Sequence, residues 1–143
     1  LSALVAVSLL LGGCARPVAI DPPTPRADAA AACRAFVDAL PSSLPTVGDR
    51  REVDPSAGFT AAYGDPPVSV RCGVPTPTAL DPTSELVTVD GVDWLPEQLT
   101  NGWMMTTVGR MGDVEIVVPS DQGPAPSVAA DLGPTIDATL PER

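Results

Sequence analysis

The sequence predicts an α+β domain in two layers, a mostly antiparallel sheet of about five or six strands with an N-terminal and a C-terminal helix on one face. Three observations carry this. Apolar side chains recur at helical spacing over residues 29–40. Short alternating segments, separated by Gly, Pro and Asp-Gly turns, fill residues 59–118. Helical spacing then returns beyond residue 125.

The chain opens on an uncharged apolar run, Leu1 to Leu11, followed by Gly12-Gly13-Cys14. A membrane span needs about 20 apolar residues, so this run suits the hydrophobic part of a signal peptide instead. Leu11-Gly12-Gly13-Cys14 has the form of a lipobox, in which cleavage precedes the cysteine and its sulfur takes a diacylglycerol. An uncleaved anchor or a buried core helix is the alternative. No basic stretch precedes the run and the first residue is Leu, so the true start is expected further upstream. Residues 1–13 are thus read as signal peptide and residues 14–27 as a lipidated Cys14 plus tether. The tether holds Pro17, Pro22, Pro23 and Pro25, which favour an extended polyproline conformation of about 3.1 Å per residue. Residues 28–143 are left as one globular domain, enough for one core.

The first helix is expected from Asp28, a plausible N-cap, to Pro41, which stops it. Ala29, Ala32, Cys33, Phe36, Val37 and Leu40 form its apolar stripe, and Arg34 and Asp38 an i,i+4 pair on the far side. Residues 41–57 read as loop. Strands are expected at Phe59–Tyr63 and Val68–Cys72. Asp90-Gly91 marks a tight hairpin between residues 86–89 and 92–94, pairing Val89 with Val92 and Val87 with Trp94. A second hairpin joins Trp103–Val108 to Val114–Val118. In the last helix Val128, Leu132, Ile136 and Leu140 recur every four residues, and Gly133-Pro134 predicts a kink or two short helices.

The formal charge is −10, from 18 acidic and 8 basic residues, and every basic residue is Arg. That balance argues against a nucleic-acid partner and against electrostatic adhesion to anionic lipid. Histidine and lysine are absent. If Cys14 carries lipid, Cys33 and Cys72 remain either as a disulfide or as two buried thiols. An exported compartment permits the disulfide, and closing a loop of roughly 40 residues would stabilise the fold by about 4 kcal/mol. With the cysteines so used, the usual general base, Schiff-base residue and thiol nucleophile are missing, as are His and Cys metal ligands. No cofactor and no metal site are expected.

Asp90, Asp93 and Glu97 surround Trp94 and could form a catalytic carboxylate pair, although a turn-and-surface role fits them better. Trp94 and Trp103 could stack a ligand, or could both be core. Arg71 and Arg110 could each hold a carboxylate or phosphate, or simply be solvated.

Several strings stand in order: Cys33-Arg-Ala-Phe-Val-Asp-Ala-Leu-Pro41, Tyr63-Gly-Asp-Pro-Pro67, Arg71-Cys-Gly-Val-Pro75, Gly91-Val-Asp-Trp-Leu95 and Thr107-Val-Gly-Arg110. With the Val-rich strand ending at Pro119 they resemble an actinobacterial family of exported proteins, domain of unknown function 3515, over about residues 28–140. One departure is Tyr63, where the family pattern has Trp. The resemblance implies an envelope protein with paired cysteines and brings no activity or ligand residues with it.

The expectation is therefore a non-enzymatic envelope lipoprotein on the outer face of the cytoplasmic membrane. Its partners would be the bilayer, through acylated Cys14, and an envelope protein or a cell-wall fragment. A binding module for a cell-wall fragment is the alternative, and a carboxylate-dependent hydrolase a remote one.

Overall fold

The computed structural model describes residues 15–143, so the expected signal segment and Cys14 lie outside the described residues. In chain order the elements are β1 (Val18–Ala19), α1 (Ala30–Ala39), β2 (Ser43–Leu44), β3 (Gly48–Arg51), β4 (Val53–Asp54), β5 (Thr60–Tyr63), β6 (Val68–Cys72), β7 (Val87–Val89), β8 (Val92–Leu99), β9 (Gly102–Thr107), β10 (Val114–Pro119) and α2 (Ala125–Thr139). A single 3-10 turn, Ser120–Gln122, leads into α2.

The fold is α+β, with eight strands in the main sheet rather than five or six. Their order is β2-β3-β5-β6-β10-β9-β8-β7, every neighbouring pair antiparallel, and β1 pairs with β4 in a separate parallel ribbon. The two strands added to the main sheet, β2 and β3, come from residues 41–57, expected as loop, as does β4 of the ribbon. Two of them, β2 and β4, are only two residues long, and β3 is Gly-Asp-Arg-Arg, so none shows apolar alternation. Side-chain bonds hold this region instead. Arg50 of β3 donates through Nη1 to the carbonyl of Leu40 and through Nη2 to that of Val37, both at 3.1 Å. These carbonyls end α1, where a cation is favoured.

One face of the sheet packs both helices. Tyr63, Val68, Val70, Trp94, Met105, Ile116 and Val118 point into the same core as Phe36 and Val37 of α1 and Val128, Leu132 and Ile136 of α2. Burial of each large side chain contributes about 1.5–3 kcal/mol. The stripe expected on α1 is the buried one, from Ala29 through Cys33, Phe36 and Val37 to Leu40. Its cap is not Asp28: the N-cap is Ala29, and no side chain caps it. Asp28 is exposed and reaches Arg26 instead, at 3.4 Å. Arg34 stacks its guanidinium over the Phe59 ring, 4.6 Å from the centroid, in place of the expected pair with Asp38.

Cys33 of α1 and Cys72 of β6 form a disulfide, with Cα atoms 5.4 Å apart, that staples helix to sheet. The hairpin register is as expected, Val89 opposite Val92 and Val87 opposite Trp94. Asp90 and Gly91, at φ 49° and 82°, both adopt the left-handed conformation that a type I′ turn demands. Strand β8 then runs on through Pro96 to Leu99. Proline is tolerated there because β7 starts opposite Trp94, leaving Pro96 without a neighbour on that side.

Helix α2 is continuous through Gly133-Pro134, against the expected break. Pro134 is exposed, so the backbone bond it cannot make is lost on the solvent side, while Leu132, Gly133 and Ile136 stay packed. The proline-rich segment is extended but does not stand off the domain. Val18 donates its N–H to Glu52 at 2.8 Å, Ile20 and Pro23 are buried, and Pro25 packs on Gly73. Among the described residues no helix is long and apolar enough to cross a membrane.

Candidate functional site

The antiparallel register gives the sheet two distinct ends. At one, Gly64 follows β5, β6 begins, Pro119 ends β10, and Leu99 and Gly102 flank the β8–β9 turn. At the other lie Cys72, Gly73, Val92, Thr107 and Val114, the disulfide, and the last turn of α2. A depression opens at each end.

The first is an apolar groove of about 670 Å³ between β8–β10 and the start of α2. Trp103, Met105 and Val118 form its floor, and Val87, Pro96, Pro124 and Pro126 its walls. Trp103 is 42% exposed.

The second is a polar cleft of about 540 Å³ at the opposite end. Arg26, from the approach to α1, Arg71, from β6, and Arg143 converge on it, with Asp113 as the one carboxylate in its lining. Arg71 donates through Nη1 to Glu115 Oε1 at 2.9 Å, while its Nε–H is buried and meets no acceptor among the described residues. Arg143 donates to Asp113 Oδ2 at 2.6 Å. Asp113 Oδ1 also accepts from the Arg110 N–H at 3.2 Å and from Thr107 Oγ1 at 3.3 Å. Burial nonetheless pushes the Asp113 carboxyl above the usual carboxylate range, outweighing the bonds from Arg110, Arg143 and Thr107 that favour its ionised form. Gly112 completes the wall. A Cβ there would stand 2.6 Å from Cys33 Sγ, and φ is +85°, so only glycine fits without displacement.

The sequence-derived candidates divide between these places. Arg71 lies in the cleft and Trp103 in the groove. Trp94 is fully buried beneath α2, so the two tryptophans form no common platform. They share a face but stand four register positions apart, about 13 Å along the strands. Arg110 is engaged within the fold. It is 6% exposed and committed to the Leu140 carbonyl at 3.1 Å and to Asp137 at 2.9 Å, clasping residues 137–142 to the β9–β10 turn. Asp90 occupies its turn, Asp93 accepts from Thr88 Oγ1 at 2.6 Å on the exposed surface, and Glu97 faces a shallow depression under residues 74–78. Asp93 and Glu97, four residues apart on one strand, have backbones about 13 Å apart. No group of three His, Cys, Asp or Glu side chains among the described residues is arranged to hold a metal ion. Arg26, Arg143 and Asp113 escaped the sequence reading, because residues so far apart are joined only by the topology and carry no local signal.

The domain is thus a two-layer α+β fold stapled by one disulfide, with an apolar groove and an arginine cleft at opposite ends. The model of a family described as a protein of unknown function (DUF3515) matches residues 2–143, and the chain belongs to that family. No curated protein and no solved structure matches it.

Proposed function

We propose that this protein is an extracytoplasmic accessory domain, held to the outer face of the cytoplasmic membrane by lipid on Cys14. It acts by binding a carboxylate- or phosphate-bearing cell-wall fragment in the Arg26–Arg71–Arg143 cleft. The observation that carries the binding reading is the convergence of three of the chain's eight arginines on one cleft, in a molecule of net charge −10. Arginine matches carboxylate and phosphate geometry bidentately and does not lose its charge. The Leu11–Cys14 lipobox supports the anchor, and the Cys33–Cys72 bridge accords with an oxidising compartment. Catalysis has no part in this reading.

Calorimetric titration of the full protein with inorganic phosphate and with a carboxylate-bearing peptidoglycan fragment tests the cleft. Saturable heat with at least one probe, lost in Arg71→Ala and kept in Trp103→Ala, is the expected result. No heat from either probe at millimolar concentration would overturn it.

A further inference from the structure

The groove lies at the end of the molecule from which the chain leads back to Cys14. The Arg16 carbonyl accepts from Arg51 Nη2 at 3.0 Å, which fixes residue 16 on the domain. Cys14 is two residues earlier, within about 7 Å of extended chain. The same guanidinium donates through Nη1 to the Gly64 carbonyl at 2.9 Å. Gly64 in turn lies against the Gln122 side chain, 3.0 Å from where a Cβ would be. Gln122 sits between Ser120 and Gly123, both of which line the groove. Arg16, Arg51, Gly64 and Gln122 therefore run in contact from the start of the described chain to the groove mouth.

A second observation is independent of that path. The large exposed apolar side chains of the described residues are Leu86, Val87, Leu99 and Trp103. Trp103 and Val87 line the groove, Leu86 precedes Val87, and Leu99 stands at the tip of the β8–β9 hairpin. Trp103 and Leu99 lie at the anchor end, while Val87 stands opposite Trp94, about 13 Å further along the sheet, and closes the distal wall of the groove.

We propose that the β8–β9 hairpin tip and the groove rest on the outer leaflet of the bilayer that holds Cys14, with Trp103 at the boundary between headgroups and acyl chains. Tryptophan is favoured at that boundary, where its ring is buried and its N–H stays wet. The proposal rests on the lipid-anchor reading. Once the chain is tethered, a weak contact suffices, because the anchor supplies a high effective concentration. Asp65 and Asp121 at the same end are exposed, so the contact is apolar rather than electrostatic and should not respond to salt.

The test uses the full protein recovered from the membranes of cells that make it, its intact mass measured first. It is then placed in phosphatidylcholine vesicles with plain or brominated acyl chains. The expected result is a chain that begins at diacylated Cys14, with tryptophan emission quenched by the brominated lipid. Trp103→Phe abolishes that quenching and leaves the mass of the anchor unchanged. A lipidated protein whose emission is the same in both vesicles overturns the docking and leaves the anchor standing. An unlipidated protein that retains residues 1–13 overturns the anchor reading, and the docking with it.

Discussion

The two tryptophans mark the contrast between the ends of this molecule. Trp94 and Trp103 share one sheet face, yet Trp94 is roofed by α2 while Trp103 lies out beside the first turn of that helix, in an open groove. The far end is covalently stapled and polar, with three arginines around one cleft. The near end is apolar, held by short hairpins and a 3-10 turn, and its large side chains meet solvent. Where a helix starts along a strand decides whether the same residue type is structure or surface.

Substitutions can break or sharpen this contrast. The largest losses are expected in the core and at the staple. Trp94→Ala should cost about 3–5 kcal/mol, read as a shift of the urea midpoint at constant slope; a cost no larger than that of Trp103→Ala would refute the contrast. Replacing Cys33 and Cys72 together by Ala should remove about 4 kcal/mol by the loop-closure estimate. Thermal denaturation of oxidised wild type beside the double variant checks this, and equal midpoints would mean that the bridge contributes nothing. Gly112→Ala, which presses a methyl on Cys33 Sγ at positive φ, should cost about 1–3 kcal/mol. Trp103→Ala should stay within about 0.5 kcal/mol of wild type.

The smallest effect is a pH dependence at the far end. Burial raises the Asp113 pKa in the fold, so the folded state keeps this proton to higher pH than the unfolded chain does. The contribution of Asp113 to stability is therefore full below the ordinary carboxylate value and is lost as pH rises through the folded pKa. The midpoint of wild type relative to Asp113→Asn should fall as pH is raised from about 4. A relative midpoint that rises over that range would mean that the Arg143 pair, not burial, dominates.

Where local pattern and tertiary environment agree, the sequence was legible. The α1 stripe and the Asp90-Gly91 hairpin are short-range features, and both formed at the expected residues. Strands β2 to β4 were not legible because they are stabilised from outside their own sequence, by Arg50 on the α1 carbonyls and by β1 alongside β4. Helix α2 runs through Pro134 because packing on both sides of that residue outweighs its propensity. Among the site residues, Arg71 could be named from the sequence, but its convergence with Arg26 and Arg143 depends on the path of the whole chain. Arg110 looked the same as Arg71 in the sequence, and only the fold brings Asp137 and Leu140 to it.

The central claim is that one end faces the membrane and the other takes the ligand. Hydrogen–deuterium exchange on the lipidated protein reads both ends at once, in detergent, in vesicles, and in vesicles with the cell-wall fragment. The account predicts that vesicles protect residues 99–103 and 120–125, and that the fragment then protects residues 73–76 and 112–113. Protection by the fragment at residues 99–103, or by vesicles at residues 73–76, would contradict it.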